Sequence, residues 1–236
     1  MTPRSKQQAP GAAPGQGRGL DQETIIARAI EQLDRAGMAR FSLRGLAASM
    51  GVPVTSLYWH ISNRDTLLAL ARDTVSAEVD VPDVSKTGWR HAVGGYARSL
   101  HAMVLRHPWV VDTSANPMPM GSQTLALTER VITIFQAPGY SGTDLVHANS
   151  LVTAHAVGSA VLEAATTSAR EAAPPATPVE GLVADEDTVN RQARFGLWWQ
   201  TNRDHDLARL QREGFEFGLT RILDSLDSTG VVRHND

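Results

Sequence analysis

Ser42-Leu43-Arg44-Gly45-Leu46-Ala47-Ala48-Ser49-Met50-Gly51-Val52-Pro53-Val54-Thr55-Ser56-Leu57-Tyr58-Trp59-His60 is the stretch that decides the architecture. The Ser42 hydroxyl can accept from the first free amides of a helix, after which Leu43, Leu46, Ala47 and Met50 recur on one face. Gly51 ends that helix, because glycine adopts the left-handed conformation a helix terminus favours. Gly51-Val52-Pro53 makes a tight turn into a second, compact segment from Val54 to His60. A small residue, Ala47, stands where the two helices must cross closely. Two short helices joined by a glycine turn form a helix-turn-helix unit. The second helix is too short to be justified by core packing alone, yet it carries Thr55, Ser56, Tyr58, Trp59 and His60, the composition of a reading head for the major groove.

The neighbouring segments continue the pattern. Upstream, Asp21 can cap a helix and Leu20 can pack on Ile25 as a hydrophobic staple, with Ile26, Ala29, Ile30 and Leu33 at helical spacing until Gly37. Downstream, Ser62-Asn63-Arg64-Asp65 has capping-box spacing, and Leu67, Leu68, Leu70, Ala71, Val75 and Val79 predict a longer helix that Pro82 closes. Beyond Pro82 the periodicity predicts helices over about 88–106, 123–136, 142–169, 186–201 and 204–226, with a Pro- and Ala-rich acidic loop over 172–187. No alternating strand pattern exceeds a few residues. The fold class is all-α: a basic tail over 1–19, expected to be disordered, a helix-turn-helix domain over 20–80, and a larger helical domain over 83–228.

Composition narrows the function classes. The chain has no cysteine among its 236 residues, which excludes disulfides, thiolate zinc sites and cysteine nucleophiles. It has no uninterrupted apolar run of 18 residues and no apolar segment at the start, so neither a membrane partner nor a secretory signal is expected, and a cytoplasmic location follows. Residues 1–64 hold eight basic and four acidic side chains, whereas the remainder holds fourteen and twenty-one, an asymmetry that marks the first part as the one to meet phosphate. No phosphate loop or nucleophile elbow is present, and Asp144 and His147, three apart on a helix, have no second such pair, so no catalytic residue, metal or cofactor is expected. An architectural protein binding DNA without sequence preference would need a more basic surface and no large acidic domain.

From Leu20 to about Val79 the chain resembles the DNA-binding domain of the TetR family. The likeness rests on the quoted stretch, on Leu57-Tyr58-Trp59-His60, the version found in the tetracycline-repressor branch, and on Asn63-Arg64-Asp65-Thr66-Leu67-Leu68. The resemblance implies a regulator of transcription, a repressor that meets a palindromic double-stranded DNA operator as a homodimer and is released by a small-molecule effector. It implies that Arg44 reaches a base edge, the alternative being a surface cation. Thr55 and Ser56 would offer small groups to bases. Tyr58, Trp59 and His60 would touch phosphates or pack the reading helix, and for Trp59 a half-buried structural aromatic stands beside direct contact. Arg64 would hold phosphate at a helix start. Val54 departs from a polar family position, so the operator should differ from that of tetracycline repressors.

The likeness continues through Trp89, Ala160-Val161-Leu162-Glu163 and Phe215-Glu216-Phe217-Gly218-Leu219. It implies that the helices over 142–169 and 204–226 pair with their copies in a four-helix bundle, using Ala148, Ala156, Ser159, Ala160, Leu207, Leu210, Leu219 and Ile222; an ordinary intrachain core is the alternative. The family's drug-gripping positions fall at Tyr96 and Leu100, and its metal-ligand histidine falls near Asp112; only Glu163 keeps its family identity. The expected effector cavity comprises Tyr96, Leu100, Met103, Trp109, Asp112 and Met118, with His155 and Glu163 as polar anchors, or else these residues fill a core. With the family's amide and imidazole replaced, tetracycline is not the expected effector.

Overall fold

In the computed structural model, the described residues are 20–113, 119–172 and 207–228, and among them every regular element is helical. The expected tail over 1–19, Met118, the acidic loop and the helix over 186–201 lie outside the described residues. The helices are α1 (Gln22–Ala36), α2 (Leu43–Met50), α3 (Val54–Tyr58), α4 (Arg64–Ser76), α5 (Val84–Thr87), α6 (Trp89–Arg106), α7 (Trp109–Thr113), α8 (Ser122–Gln136), α9 (Gly142–Ala172) and α10 (Leu207–Ser228), with a 3-10 turn over Met38–Arg40. The one-turn helices α5 and α7 are too short for periodicity to reveal.

Local chemistry sets the boundaries. Asp21 accepts from the Thr24 amide at 2.7 Å and Gly37 ends α1 at φ 72°. The cap of α4 is Asn63, which accepts from the Thr66 amide at 2.8 Å, rather than Ser62 as the capping-box spacing suggests. An asparagine amide oxygen makes that bond as well as a hydroxyl does, so the box slips by one residue.

Ile25, Ala29, Leu33, Leu46, Leu57, Leu67, Leu68 and Ala71 fill the core of the first four helices. Pro82 follows and packs on α6 at Gly95, where a Cβ would overlap its ring. In the C-terminal part α6 lies along α9, and α9 along α10. Ala148, Val152, Ala156 and Ala160 are buried at every fourth position of α9, a narrow ridge that lets the helices approach closely.

For four of the eight residues expected in the bundle, that ridge decides for the intrachain core. Ala148, Ala156, Ala160 and Leu219 are buried inside the chain, so a second copy cannot use them. What α9 and α10 leave exposed is a different apolar set, Val146, Leu151, Leu162 and Phe217. Within Gly142–Thr167 of α9, an 18-residue window has a mean hydropathy of 1.3, enough by length and composition to cross a membrane, and 22 % of that window is buried.

Candidate nucleic-acid interface and its link to the C-terminal helices

The helix-turn-helix forms for the reasons its sequence suggests. The Ser42 hydroxyl accepts from the Gly45 amide at 3.1 Å. Gly51, at φ 68° and ψ 26°, turns the chain while its own amide and that of Val52 return to carbonyls of α2. Pro53 then starts α3, and its carbonyl accepts from the Ser56 amide at 2.9 Å. A five-residue helix has no stability of its own, so it is held by burial of Leu57, with Ile61 beyond it. α2 packs against α3, and Ala47, at 2 % exposure, leaves the room.

Around that anchor the candidate DNA residues fall into two groups. Arg44, Thr55, Tyr58 and Trp59 are exposed, whereas Ser56, His60 and Arg64 are half-buried. Trp59 is 88 % exposed, which overturns the half-buried structural alternative for its indole. Val54 packs partly on the core. The Arg64 guanidinium turns inward: it donates to the Met38 carbonyl at 3.3 Å and lies 5.7 Å from the Phe41 ring centroid. The Gln22 side chain donates to the His60 carbonyl at 3.2 Å, tying α1 to the end of the reading segment.

The candidate effector residues do not gather at one place. Tyr96, Leu100 and Met103 are buried on α6, facing α9, which carries His155 and Glu163. The Tyr96 hydroxyl and the Thr153 hydroxyl share a hydrogen bond of 3.1 Å; burial raises the phenol above its ordinary pKa, partly offset by that bond. His155 Nε2 bonds the Phe215 carbonyl at 2.9 Å, and Phe215 is stacked between His155 and His101. His101 Nε2 and Glu163 Oε2 stand 3.4 Å apart, and neither buried atom has a hydrogen-bond partner. Desolvation pushes the His101 imidazole down, against the pull of the Glu163 charge. His101 and Thr153 escaped the sequence reading, and Phe215 entered it only through the family likeness and not as a cavity residue, although His101 follows Ala97 by one helical turn and so shares its buried face.

Trp109 and Asp112 belong elsewhere. Both sit on α7 and line a cleft of about 350 Å³ between α1, α7 and α9, with Leu33 and Asp34 from α1. The Trp109 indole N–H donates to Asp34 Oδ1 at 2.7 Å, so this ring is a junction residue rather than part of a cavity among α6, α9 and α10. His107 joins the same network: Nδ1 lies 2.7 Å from Asp34 Oδ1, and Nε2 lies 3.1 Å from Glu78 Oε1. Arg106 donates twice to Glu78 Oε2, at 3.0 and 2.7 Å. Partial burial works to raise the Glu78 carboxyl, but the bond from Arg106 and the charge of His107 outweigh it and hold it below the usual carboxylate range. No periodicity points to these residues, because each reaches across the chain.

Two family models match the chain. Bacterial regulatory proteins of the tetR family match residues 25–71, and the tetracyclin repressor-like C-terminal domain matches residues 81–229. The chain belongs to the TetR family. It is 34% identical over 174 residues to an HTH-type transcriptional regulator of Saccharopolyspora erythraea, covering 69% of this chain and 74% of that one. It is 27% identical over 219 residues to the transcriptional repressor DrrR1 of Streptomyces coeruleorubidus, covering 92% and 81%. The tetracycline repressor class D of Escherichia coli is 29% identical over 216 residues, covering 86% and 93%. The crystal structure of the TetR family protein ActR of Streptomyces coelicolor in complex with actinorhodin superposes with a TM-score of 0.66 at 24% identity, covering 91% of this chain and all of that one, and shows the same fold. As a TetR regulator the protein binds DNA, controls transcription in response to a small molecule, and is not an enzyme.

Proposed function

We propose that this TetR regulator is a repressor that grips a partly palindromic operator as a homodimer, through Arg44, Thr55, Ser56, Tyr58, Trp59 and His60, with Arg64 supporting the reading head. The observation that carries this reading is Trp59. A large aromatic left 88 % exposed at the end of a short, firmly anchored helix forgoes its burial energy unless something else covers it. The dimer rests on Val146, Leu151, Leu162 and Phe217, an apolar set on α9 and α10 that the chain itself leaves open. The domain division stands at about 80–83, with the first part reading DNA and the rest binding effector and partner. The protein works in the cytoplasm, where operators are.

The effector enters among Tyr96, Leu100, Met103, His155 and Glu163 and is a bulky, largely apolar molecule. Met118 remains part of that proposal; Trp109 and Asp112 act at the α1 junction. Tetracycline fits poorly, since the Tyr96 hydroxyl is committed to Thr153, Leu100 offers no hydrogen bond, and Glu163 faces His101. Titrating tetracycline with magnesium into a protein–operator complex tests this. The complex persists if the reading is right, and release at micromolar drug would refute it.

A further inference from the structure

Helix α8 begins at Ser122 with Gly121 as its cap residue, and glycine has no side chain with which to accept from the free amides of the first turn. The acceptor comes instead from α4. Asp73 Oδ1 accepts from the Thr124 amide and from the Thr124 hydroxyl, both at 2.8 Å, and Oδ2 accepts from the Gln123 amide at 3.3 Å. The fit leaves no space at residue 121, where a Cβ would overlap the Asp73 carboxylate. A negative carboxylate against the positive end of a 15-residue helix makes a charge-assisted contact.

We propose that Asp73 is a positioning residue through which the C-terminal helices set the orientation of the reading head. Five residues further along, just past the end of α4, Glu78 is held by Arg106 and His107 at the end of α6. Asp73 lies on α4 and Glu78 in the turn that follows it, so the two grips hold α4 and its C-terminal turn at separate points, and rolling α4 about its axis breaks one or the other. The other end of α4 follows the reading helix by five residues, with Leu57 and Ile61 buried against the same core. Fixing the roll of α4 therefore fixes where α3 points. A displacement of the start of α8 or the end of α6 reaches the DNA-binding surface through these carboxylates. This rests on DNA binding by α3, which can fail separately.

The test separates positioning from capping. Asp73→Ala removes both, whereas Asp73→Ala with Gly121→Ser returns a local cap to α8 without rejoining it to α4. The backbone at Gly121, φ −81° and ψ 177°, suits serine, and the lost carboxylate vacates the space. The probe is a duplex enriched by the wild-type protein from a random-sequence library, so DNA binding itself is checked first. Hydrogen exchange of the Thr124 amide reports the cap, and fluorescence anisotropy reports DNA affinity. The single variant is expected to exchange Thr124 fast and to bind the duplex about tenfold more weakly, the scale of one charge-assisted hydrogen bond. In the double variant exchange should slow again while binding stays weak. Recovery of full affinity in the double variant, or wild-type affinity in the single one, would overturn the proposal.

Discussion

Leu57 and Trp59 lie two residues apart at the reading head, and their truncations should have opposite signatures. Leu57 is 1 % exposed and is the buried side chain of a helix only five residues long, so Leu57→Ala removes the anchor as well as its own burial. Replacing a fully buried leucine by alanine costs about 2–5 kcal/mol, a large share of the roughly 5–15 kcal/mol that holds a domain folded. Trp59 is 88 % exposed, so Trp59→Ala should change stability by no more than about 0.5 kcal/mol. Both should lose operator affinity, the first because α3 no longer holds its place and the second because a contact is gone. Denaturant melts followed by circular dichroism, at unchanged m, give the stability arm, and anisotropy with a labelled operator gives the binding arm. If Leu57→Ala lost less than about 1 kcal/mol, or if Trp59→Ala destabilised as strongly, the anchoring argument would be wrong.

Arg44→Ala should cost about 1–3 kcal/mol in operator binding and relax the preference at one base position, whereas Arg64→Ala should weaken all duplexes alike; competition with single-base operator variants distinguishes them. Gly218→Ala places a Cβ against the His155 ring, which must move and give up its bond to the Phe215 carbonyl, so a loss of about 1–3 kcal/mol should appear in thermal melts. Glu216 accepts from Arg98 through both oxygens at 2.7 Å, and that bond holds its carboxyl below the ordinary 4.5 against partial burial. A lowered folded pKa gives stability that is complete above 4.5 and lost as the pH falls through the folded value. The pair is half exposed, so Glu216→Gln should cost under about 1 kcal/mol at neutral pH, and its deficit against wild type should shrink in melts as the pH falls below 4.5.

The helix-turn-helix was legible because every signal in it is local. Ser42, Ala47 and Gly51 each act on neighbours within one or two turns, and the structure places them where their chemistry requires. The class of the C-terminal part was equally legible, since 3.6-residue periodicity survives without knowledge of what each helix faces. What it faces was not. Ala148, Ala156 and Ala160 could serve an intrachain or an intermolecular contact with the same spacing, and only the approach of the helices packed on α9 decides for the former. Trp109 shows the same gap: an aromatic in an apolar stretch suits a cavity wall, yet its partner Asp34 lies 75 residues away. Asp73 and His107 left no pattern at all, because a borrowed cap and a bridging imidazole depend on elements far apart in the chain.

The measurement that tests the account most directly is enrichment of duplexes by the intact protein from a random-sequence library, with the stoichiometry of the bound complex read by light scattering. Two reading heads related by a two-fold axis should select a partly palindromic site bound by a symmetric assembly, and Trp59→Ala should abolish the enrichment. Binding that falls with salt yet enriches no sequence would contradict it, because phosphate contact without base readout is what a non-specific DNA protein shows.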